Sequence, residues 1–380
     1  MVNHRSILAA LALILAVSSL AQAQTAEVIA DGIVRFDASH DARINRRPSI
    51  AMVRQFESIG DIDPASHALA PTFSTNDDGR FVVAIEIQPH TSLYGTGQVA
   101  GPLLRNGFVT ETWNYDAFGY GLDAKNLYTS QPWVLAVRED GTAFGVLADT
   151  TERCEIDLRD GITFRAVGHS FPVIIIDRAT PQLVMQGLAE LTGTIAMPPR
   201  WAVGFHQCRY SYNPDSRVKE IADGFRSRSL PADVIWMDID YMDQYRVFTF
   251  DEEEFPNPKE LNAYLDSVGF SNVRMIDPGV KAEEGYFIYD SGTEHDAWTK
   301  KADGTVFYGE VWPGVCVFPD YLNKDVRTWW AGLYKDFMSY DIDGVWNDMN
   351  EPAVFNSKTK TMPEDNIHDA DPELGGPGSH

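Results

Sequence analysis

The chain has 380 residues, and its hydrophobic fraction of 44% excludes an intrinsically disordered protein. This length allows two domains, or one domain and part of another. The formal net charge is -24 at pH 7. Nucleic acid and anionic membranes need a basic surface, so we expect neither as a partner, and a neutral small molecule is favoured.

The first residues have the pattern of a cleaved export signal. His4 and Arg5 precede an apolar run from Ile7 to Leu20, and Ala21-Gln22-Ala23 supplies the small residues that a signal peptidase needs. The alternative is a membrane anchor, but the apolar run is short for a membrane span. We therefore predict that residues 1–23 are a signal peptide, that no span remains after its removal, and that the protein is secreted or periplasmic.

The three cysteines, Cys154, Cys208 and Cys316, are too few and too scattered for a disulfide framework. No pair of them has the CxxC spacing of a metal site. We predict no metal and no cofactor, and the sequence carries no signal for the oligomeric state.

From about residue 25 to residue 179 the sequence shows short β-type runs separated by turn residues. Runs of this length and spacing are typical of an antiparallel sandwich, and no stretch has a convincing helical period. We predict a β-sandwich domain over residues 24–195. Examples of the runs are residues 32–36, 80–87, 133–137, 141–147 and 171–176.

Strands and helices alternate beyond a helix predicted at Pro181–Thr192 and a proline-containing boundary at residues 198–200. This order predicts parallel βα units, which either a (β/α)8 barrel or a doubly wound sheet would satisfy. Residues 196–380 hold four such units, and four units cannot close a barrel of eight. The strand candidates lie at residues 202–208, 234–237, 273–276 and 344–346.

Acidic residues follow three of the predicted strands. The second strand ends in Asp238-Ile239-Asp240, the third in Asp277 and the fourth in Asp348. A single aspartate in such a place would be ordinary turn chemistry. Because the carboxyl ends of parallel strands meet at one edge of a sheet, where active sites are built, we expect these groups to surround one cavity.

A carboxylate cavity supports two kinds of chemistry. Glycoside hydrolysis needs one carboxylate to attack or assist and a second carboxylic acid to protonate the leaving oxygen. A Mg²⁺ or Ca²⁺ site would use the same oxygen ligands. The flanking aromatic residues favour a sugar, because a hard cation has no need of aromatic walls. These residues are Tyr210, Trp236, Trp312 and Trp346.

Two long motifs make this interpretation specific. Residues 346–352 read Trp-Asn-Asp-Met-Asn-Glu-Pro, and residues 235–241 read Ile-Trp-Met-Asp-Ile-Asp-Tyr. On these motifs the chain resembles glycoside hydrolase family 31, the α-glucosidase family, over nearly the whole mature length. The resemblance implies a galactose-mutarotase-like antiparallel β-sandwich followed by the first half of a (β/α)8 TIM barrel, truncated. It also implies that Asp348 is the catalytic nucleophile, that Asp238 binds sugar hydroxyls, and that Ile239 lines the pocket.

Shorter segments resemble other family motifs: residues 205–210 the first barrel strand, residues 311–314 an insertion that supplies a pocket tryptophan, and residues 112–116 a loop that reaches the active site. For Asp277, as for Asp240, an orienting role toward neighbouring groups is an equal alternative. The complete set of substrate-binding residues that the resemblance implies is Asp116, Tyr210, Asp238, Ile239, Asp277, Trp312, Trp346 and Met349.

The resemblance implies hydrolysis of a terminal α-linked glucose, in a small α-glucoside or an oligosaccharide, by double displacement with retention of configuration. In this family the acid/base aspartate comes from a later barrel strand, and no residue of this chain matches its motif. We therefore expect the 380-residue chain to be a fragment of a longer enzyme that is inactive alone. A non-catalytic carbohydrate-binding remnant and a related α-xylosidase or α-galactosidase are the alternatives.

Overall fold

The computed structural model describes residues 23–379. The predicted signal peptide therefore lies outside the described residues, except for Ala23. The chain folds as two compact units, the first ending at Thr194 and the second beginning at Ile195. No helix in the described part of the chain has the length and apolar character needed to cross a membrane.

The strands of the first unit are numbered β1 to β12 in chain order, and its helices are α1, His40–Ile44, and α2, Pro181–Thr192. The strands form two antiparallel sheets, which confirms the predicted β-sandwich. Their bounds are Thr25–Ala30, Ile33–Asp37, Gly60–Ile62, Thr72–Thr75, Phe81–Ile85, Ser92–Gly95, Val109–Thr112, Trp133–Val137, Ala143–Ala148, Cys154–Asp157, Ile162–Ala166 and Val173–Arg178. One sheet has the order β3-β1-β2-β12-β9-β8-β6, and the other has the order β4-β5-β11-β10-β7.

Strand β12 shows how the sequence produces the layers of this unit. Residues 173–176 are all buried, and alternate side chains point to opposite faces of a strand. Two of them face the core between the sheets, and the other two face α2. The helix comes close at Gly187, where an added Cβ would lie 2.7 Å from Cγ2 of Ile176. The larger sheet is therefore covered on both faces.

Helix α1 lies in the part of the sequence that has no convincing helical period. It has five residues and none of them is buried, so it leaves no apolar period in the sequence. Ser39 caps it by accepting a hydrogen bond of 3.0 Å from the backbone N–H of Ala42. Helix α2, in contrast, spans the predicted residues and buries Val184 and Leu191.

The second unit contains strands β13 to β21 and helices α3 to α6. Four of its strands form a parallel sheet, and three others form a small antiparallel sheet. The strands are His206–Gln207, Val234–Met237, Ser271–Ile276, Val280–Lys281, Gly309–Val311, Gly314–Val317, Gly344–Asn347, Ile367–His368 and Gly378–Ser379. The helices are Asp215–Ser227, Pro258–Ser267, Phe287–Glu294 and Lys324–Met338.

The parallel sheet has the order β13-β14-β15-β19, so neighbours in the sheet follow one another along the chain. A doubly wound sheet reverses its order at a switch point, so this order is that of a barrel. Helices α3, α4 and α6 connect these strands and pack on them through Val218, Leu261 and Val326, among others. After β19 the described chain contains loops, one 3-10 turn and the short β20–β21 pair, so the fourth predicted unit contributes a strand without a helix within residues 344–379.

Candidate active site

Three aspartates occupy the same position relative to their strands. Asp238 directly follows β14, Asp277 directly follows β15 and Asp348 directly follows β19. The β15–β19 register pairs Ile276 with Asn347, and the backbone N–H of Asp348 donates to the Ile276 carbonyl at 3.1 Å. Asp277 and Asp348 are therefore neighbours across two strands that lie about 4.8 Å apart.

Burial and mutual repulsion perturb two of these carboxyl groups. Asp277 is 4% exposed, and its Oδ1 has no hydrogen-bond partner among the described residues. Burial raises the pKa of Asp277 to about 8, and the charges of Asp348, Asp238 and Glu351 add to this shift. Burial also raises the pKa of Asp238 to about 6, against the effect of a 2.7 Å hydrogen bond from the Ile239 N–H. At pH 7 Asp277 is mostly protonated and Asp238 is mostly ionised.

The burial of Asp277 and Ile239 limits the contact that each could make with a substrate. The burial of Asp277 favours the orienting role over direct contact with a sugar, since its carboxyl is nearly inaccessible to solvent. Ile239 is 2% exposed and packs in the apolar core of the second unit. Neither residue therefore presents a large surface to a ligand.

An aromatic cluster lies on the parallel sheet. The indole rings of Trp236 and Trp346 meet edge to face, with 5.6 Å between their centroids and 70° between their planes. The Nε1–H of Trp236 donates to Nδ1 of His206 at 3.1 Å. The three side chains come from β14, β19 and β13, so the cluster spans the width of the sheet. His206 has no predicted role, and the structure gives it one in orienting Trp236.

The predicted insertion supplies Trp312 through a β-hairpin. β17 and β18 pair up to Val311 and Gly314, so Trp312 occupies a two-residue turn, and it is 44% exposed. Its indole Nε1 lies 3.1 Å from the sulfur of Met349, which follows Asp348 and has φ +57°. The structure thus brings Trp312 and Met349 together beside the nucleophile candidate.

Tyr245 is a site residue that the sequence motifs do not reveal. Its ring centroid lies 6.5 Å from that of Trp312. Burial and the nearby side chains of Asp240 and Tyr210 raise the pKa of the Tyr245 phenol. Through this residue the exposed ring of Tyr210 joins the same wall as Trp312. The only signal in the sequence is its position a few residues after the second-strand motif.

Cys208 occupies the position after β13 that the aspartates occupy after the other strands. Burial raises the pKa of its thiol, and the charges of Asp238 and Asp348 raise it further. The thiol is therefore within electrostatic reach of both carboxylates. Spacing alone does not single out this cysteine, whereas its place at the end of a strand does.

Asp116 lies in the first unit, in the loop that follows β7, where it is half-buried. The hydroxyl of Tyr128 lies 3.5 Å from its Oδ1. Its contact with a substrate stays a prediction. Within residues 23–379, no group of three or more His, Cys, Asp or Glu side chains has an arrangement that could hold a metal ion.

The barrel-type sheet and the carboxylates at its strand ends define the class of (β/α)-barrel glycoside hydrolases. Residues 195–375 match the TIM-barrel domain of glycosyl hydrolases family 31. Residues 71–157 match the N-terminal galactose mutarotase-like domain of glycosyl hydrolase 31. Together the two matches cover more than half of the chain, and the chain belongs to glycosyl hydrolase family 31.

Named relatives agree with this family. The chain is 42% identical over 291 residues to alpha-glucosidase 2 of Bacillus thermoamyloliquefaciens, a match that covers 76% of this chain and 36% of that protein. The family 31 alpha-glucosidase structure from Bacteroides thetaiotaomicron is 52% identical, with a TM-score of 0.71 over 77% of this chain and 50% of that chain. A family 31 dextranase of Flavobacterium johnsoniae, 22% identical, supports the fold alone, with a TM-score of 0.79 over 91% of this chain and 47% of that chain. The chain thus spans about a third of the length of the curated relatives that it matches.

Proposed function

We propose that this chain forms part of a retaining α-glucosidase in which Asp348 is the nucleophile. One observation carries the proposal: Asp348 directly follows the fourth parallel strand, in register with Asp277 and beside the Trp312–Met349 contact. The two relatives that are named α-glucosidases, at 42% and 52% identity, support glucose as the sugar. A small α-glucoside or an oligosaccharide is the proposed substrate.

In the proposed mechanism, Asp348 attacks the anomeric carbon, and the bond to the leaving oxygen breaks as a carboxylic acid protonates that oxygen. Water then cleaves the glycosyl ester on Asp348 and releases glucose with the α configuration. Attack requires the ionised form of Asp348. A proton held on Asp277 keeps that neighbour neutral, so it does not oppose the ionisation of Asp348.

The other groups at the strand ends bind and orient the sugar in this proposal. Asp238, ionised at pH 7, accepts hydrogen bonds from sugar hydroxyls. The indoles of Trp236, Trp312 and Trp346 offer apolar surfaces to the C–H face of the ring. No described residue is assigned as the acid. We therefore propose that the 380-residue chain alone forms a glycosyl-enzyme only when the leaving group needs no proton.

A 5-fluoro-α-glucosyl fluoride tests the nucleophile directly, because fluoride departs without a proton and the ring fluorine slows hydrolysis of the ester. Peptide mass spectrometry is expected to place one adduct on Asp348. Asp348→Asn removes the adduct, and Asp238→Asn slows its formation by about 100-fold, the effect of one lost polar contact in a transition state. The exposed Asp266→Asn variant is the matched control and labels at the unchanged rate. An adduct on another carboxylate would overturn the assignment.

The same reagents separate the alternatives. The corresponding xylosyl and galactosyl fluorides are expected to label more slowly than the glucosyl compound, and faster labelling by either would change the proposed sugar. Binding of an aryl α-glucoside is measured in parallel by calorimetry. A chain that binds this glucoside and never forms an adduct would be a carbohydrate-binding remnant instead.

We also propose that residues 1–23 direct export to the periplasm or the exterior. The polar start, the apolar run and the small residues before Gln24 support this proposal. N-terminal sequencing of the protein expressed in a bacterial host is expected to begin at Gln24 in the exported fraction. A chain that keeps Met1 and stays in the cytoplasm would contradict it.

A further inference from the structure

A cleft lies in the second unit, apart from the three aspartates at the strand ends. It has a volume of about 590 Å³ and lies between residues 243–258 and helices α5 and α6. This volume is within the range of small-molecule sites in proteins. None of the three strand-end aspartates lines the cleft. Nearly half of the residues that line it are aromatic, with Phe250, Phe287, Phe337 and Tyr340 among them.

A row of rings leads from the core to the mouth of this cleft. Phe337 is 3% exposed, and its ring stacks on that of Phe250 with 5.6 Å between the centroids and 20° between the planes. The ring of Phe250 in turn lies 4.8 Å from that of Tyr340, which is 39% exposed. Phe287, 55% exposed, also lines the cleft. The packed rings hold Tyr340 in place, so an aromatic surface is presented at low entropic cost.

The floor of the cleft includes a strained residue. Phe248 has φ +61°, a conformation that a bulky side chain adopts at a cost of about 1–3 kcal/mol. Its ring is clamped edge to face by Trp330, Tyr334 and Phe337, at centroid distances of 5.1, 5.0 and 5.5 Å. Strain that the surrounding packing maintains is typical of functional positions. This observation is independent of the shape of the cleft.

The polar groups of the cleft select the kind of ligand. The side chains of Glu252 and Asp336 line it and have no hydrogen-bond or ion-pair partner among the described residues. The third carboxylate, that of Asp243, is paired with Arg246. No basic residue is present among the described residues that line the cleft. An anionic ligand would be repelled, and an apolar peptide would desolvate two unpaired carboxylates at high cost.

We propose that this cleft binds a neutral oligosaccharide at a site separate from Asp348. Sugar hydroxyls donate hydrogen bonds to Glu252 and Asp336, while the C–H face of a ring lies on Tyr340 and Phe287. A neutral polyol is the ligand class that satisfies both the free carboxylates and the aromatic surface. The inference depends on the proposed function only in the choice of an α-glucan as the sugar.

Maltotriose is the probe, and its binding is measured by calorimetry and by saturation-transfer NMR. The measurement is made in an Asp238→Asn/Asp348→Asn background, in which the strand-end site is disabled. We expect maltotriose to bind this background, and binding to weaken at least about tenfold when Phe287→Ala and Tyr340→Ala are added. The matched control is Tyr308→Ala, because Tyr308 is 49% exposed in the same unit and does not line the cleft. It is expected to leave the affinity unchanged.

Glu252→Gln/Asp336→Asn is the second variant, since both side chains are exposed and their replacement leaves the ring packing intact. It is expected to weaken binding several-fold without a change in melting temperature. The proposal is overturned if maltotriose does not bind the background, or if neither cleft variant weakens its binding. Tighter binding of a glucosamine trimer or of a uronic-acid oligomer would overturn the neutral ligand class. Failure to label Asp348 would contradict the proposed nucleophile and leave this result unaffected.

Discussion

Glu27 in the sandwich and Asp277 in the parallel sheet are both nearly inaccessible to solvent, at 2% and 4% exposure, but their neighbours differ. Glu27 accepts from Arg35 at 2.6 Å and pairs with Arg43 at 2.6 Å and Arg46 at 2.9 Å. Burial by itself would raise the pKa of Glu27, but the hydrogen bonds and charges of Arg35 and Arg46 outweigh burial and lower it. The pKa of Asp277 rises to about 8 through burial, and the charged groups that add to this shift are the carboxylates of Asp348, Asp238 and Glu351.

This difference separates two uses of a buried carboxylate. In the first unit the charge is neutralised by cations and fixes the positions of β1, β2 and α1 relative to one another. In the second unit no cation among the described residues compensates a negative charge on Asp277. Ionisation of this residue therefore costs stability, and its carboxyl group keeps a proton near neutral pH. A buried carboxylate that is surrounded by cations therefore indicates a structural role, and a buried carboxyl group that is surrounded by other carboxylates indicates a role in an active site.

The largest expected effect comes from breaking the compensated arrangement. Glu27→Gln leaves three guanidinium groups facing a neutral side chain, and we expect the free energy of unfolding to fall by about 3–5 kcal/mol. Urea denaturation at pH 7 measures this change. Glu190→Gln is the matched control, since Glu190 is 49% exposed and its distance to Arg178 is 3.8 Å, so a loss below about 1 kcal/mol is expected. Equal losses in the two variants would contradict the contrast.

The second largest effect is expected for Asp277→Asn, which should raise the free energy of unfolding instead of lowering it. The pKa of Asp277 in the folded protein, about 8, is above its ordinary 3.8, so the folded state keeps a proton that the unfolded chain releases. Its contribution to stability is fully present below pH 4 and is lost as the pH rises toward 8. Asp277→Asn removes this loss. We expect its free energy of unfolding to exceed that of wild type by about 2–4 kcal/mol at pH 7, and this difference should shrink toward zero near pH 4. Urea titrations between pH 4 and pH 7 measure the difference. A gain that does not change with pH would refute the explanation.

For Glu27 the pH dependence runs the other way. Its lowered pKa gives stability above the ordinary value of 4.5, and that stability is lost as the pH falls. The two variants should therefore show opposite slopes of stability against pH. As the pH falls, the free energy of unfolding of wild type should exceed that of Glu27→Gln by less. Over the same change of pH, the free energy of unfolding of Asp277→Asn should exceed that of wild type by less. This crossing pattern is the sharpest form of the comparison.

The smallest effect is expected at Asp238. The pKa of Asp238, about 6, is also above its ordinary 3.8, so this residue, like Asp277, lowers the stability of the folded protein as the pH rises. For Asp238 the loss occurs between pH 3.8 and pH 6. Because Asp238 is only half-buried, solvent screens its charge, and Asp238→Asn should gain about 1 kcal/mol above pH 6. Thermal unfolding at pH 4 and pH 7 checks this. A gain as large as that of Asp277→Asn would show that burial does not set the ranking.

The sequence predicts those parts of the molecule whose pattern is local. The period of Pro181–Thr192 gives the bounds of α2, and the apolar runs followed by Asp238, Asp277 and Asp348 locate the strand ends. The sandwich follows from the alternation of short runs. The helix and each single strand is contained within one run of at most twelve residues.

Features that depend on distant partners are not predictable in this way. The ion pairs of Glu27 join residues that are up to 19 positions apart, on elements with no common motif. Tyr245 reaches its place through a backbone with φ +62°, which a pattern of residue types does not encode. The orienting position of Asp277 depends on how deeply three strands bury it. Helix α1 lacks an apolar face, so no hydrophobic period in the sequence distinguishes it from a loop.

The hairpin that carries Trp312 has a consequence for how specificity can change in this family. β18 pairs with β17 on one side and with β16 on the other, and in the described part of the chain none of the three forms a ladder with the parallel sheet. Insertions or exchanges at residues 311–314 therefore leave the four strands and their aspartates in place. Evolution, or a designer who grafts a loop, can reshape the wall beside the nucleophile while the folding of the barrel stays the same.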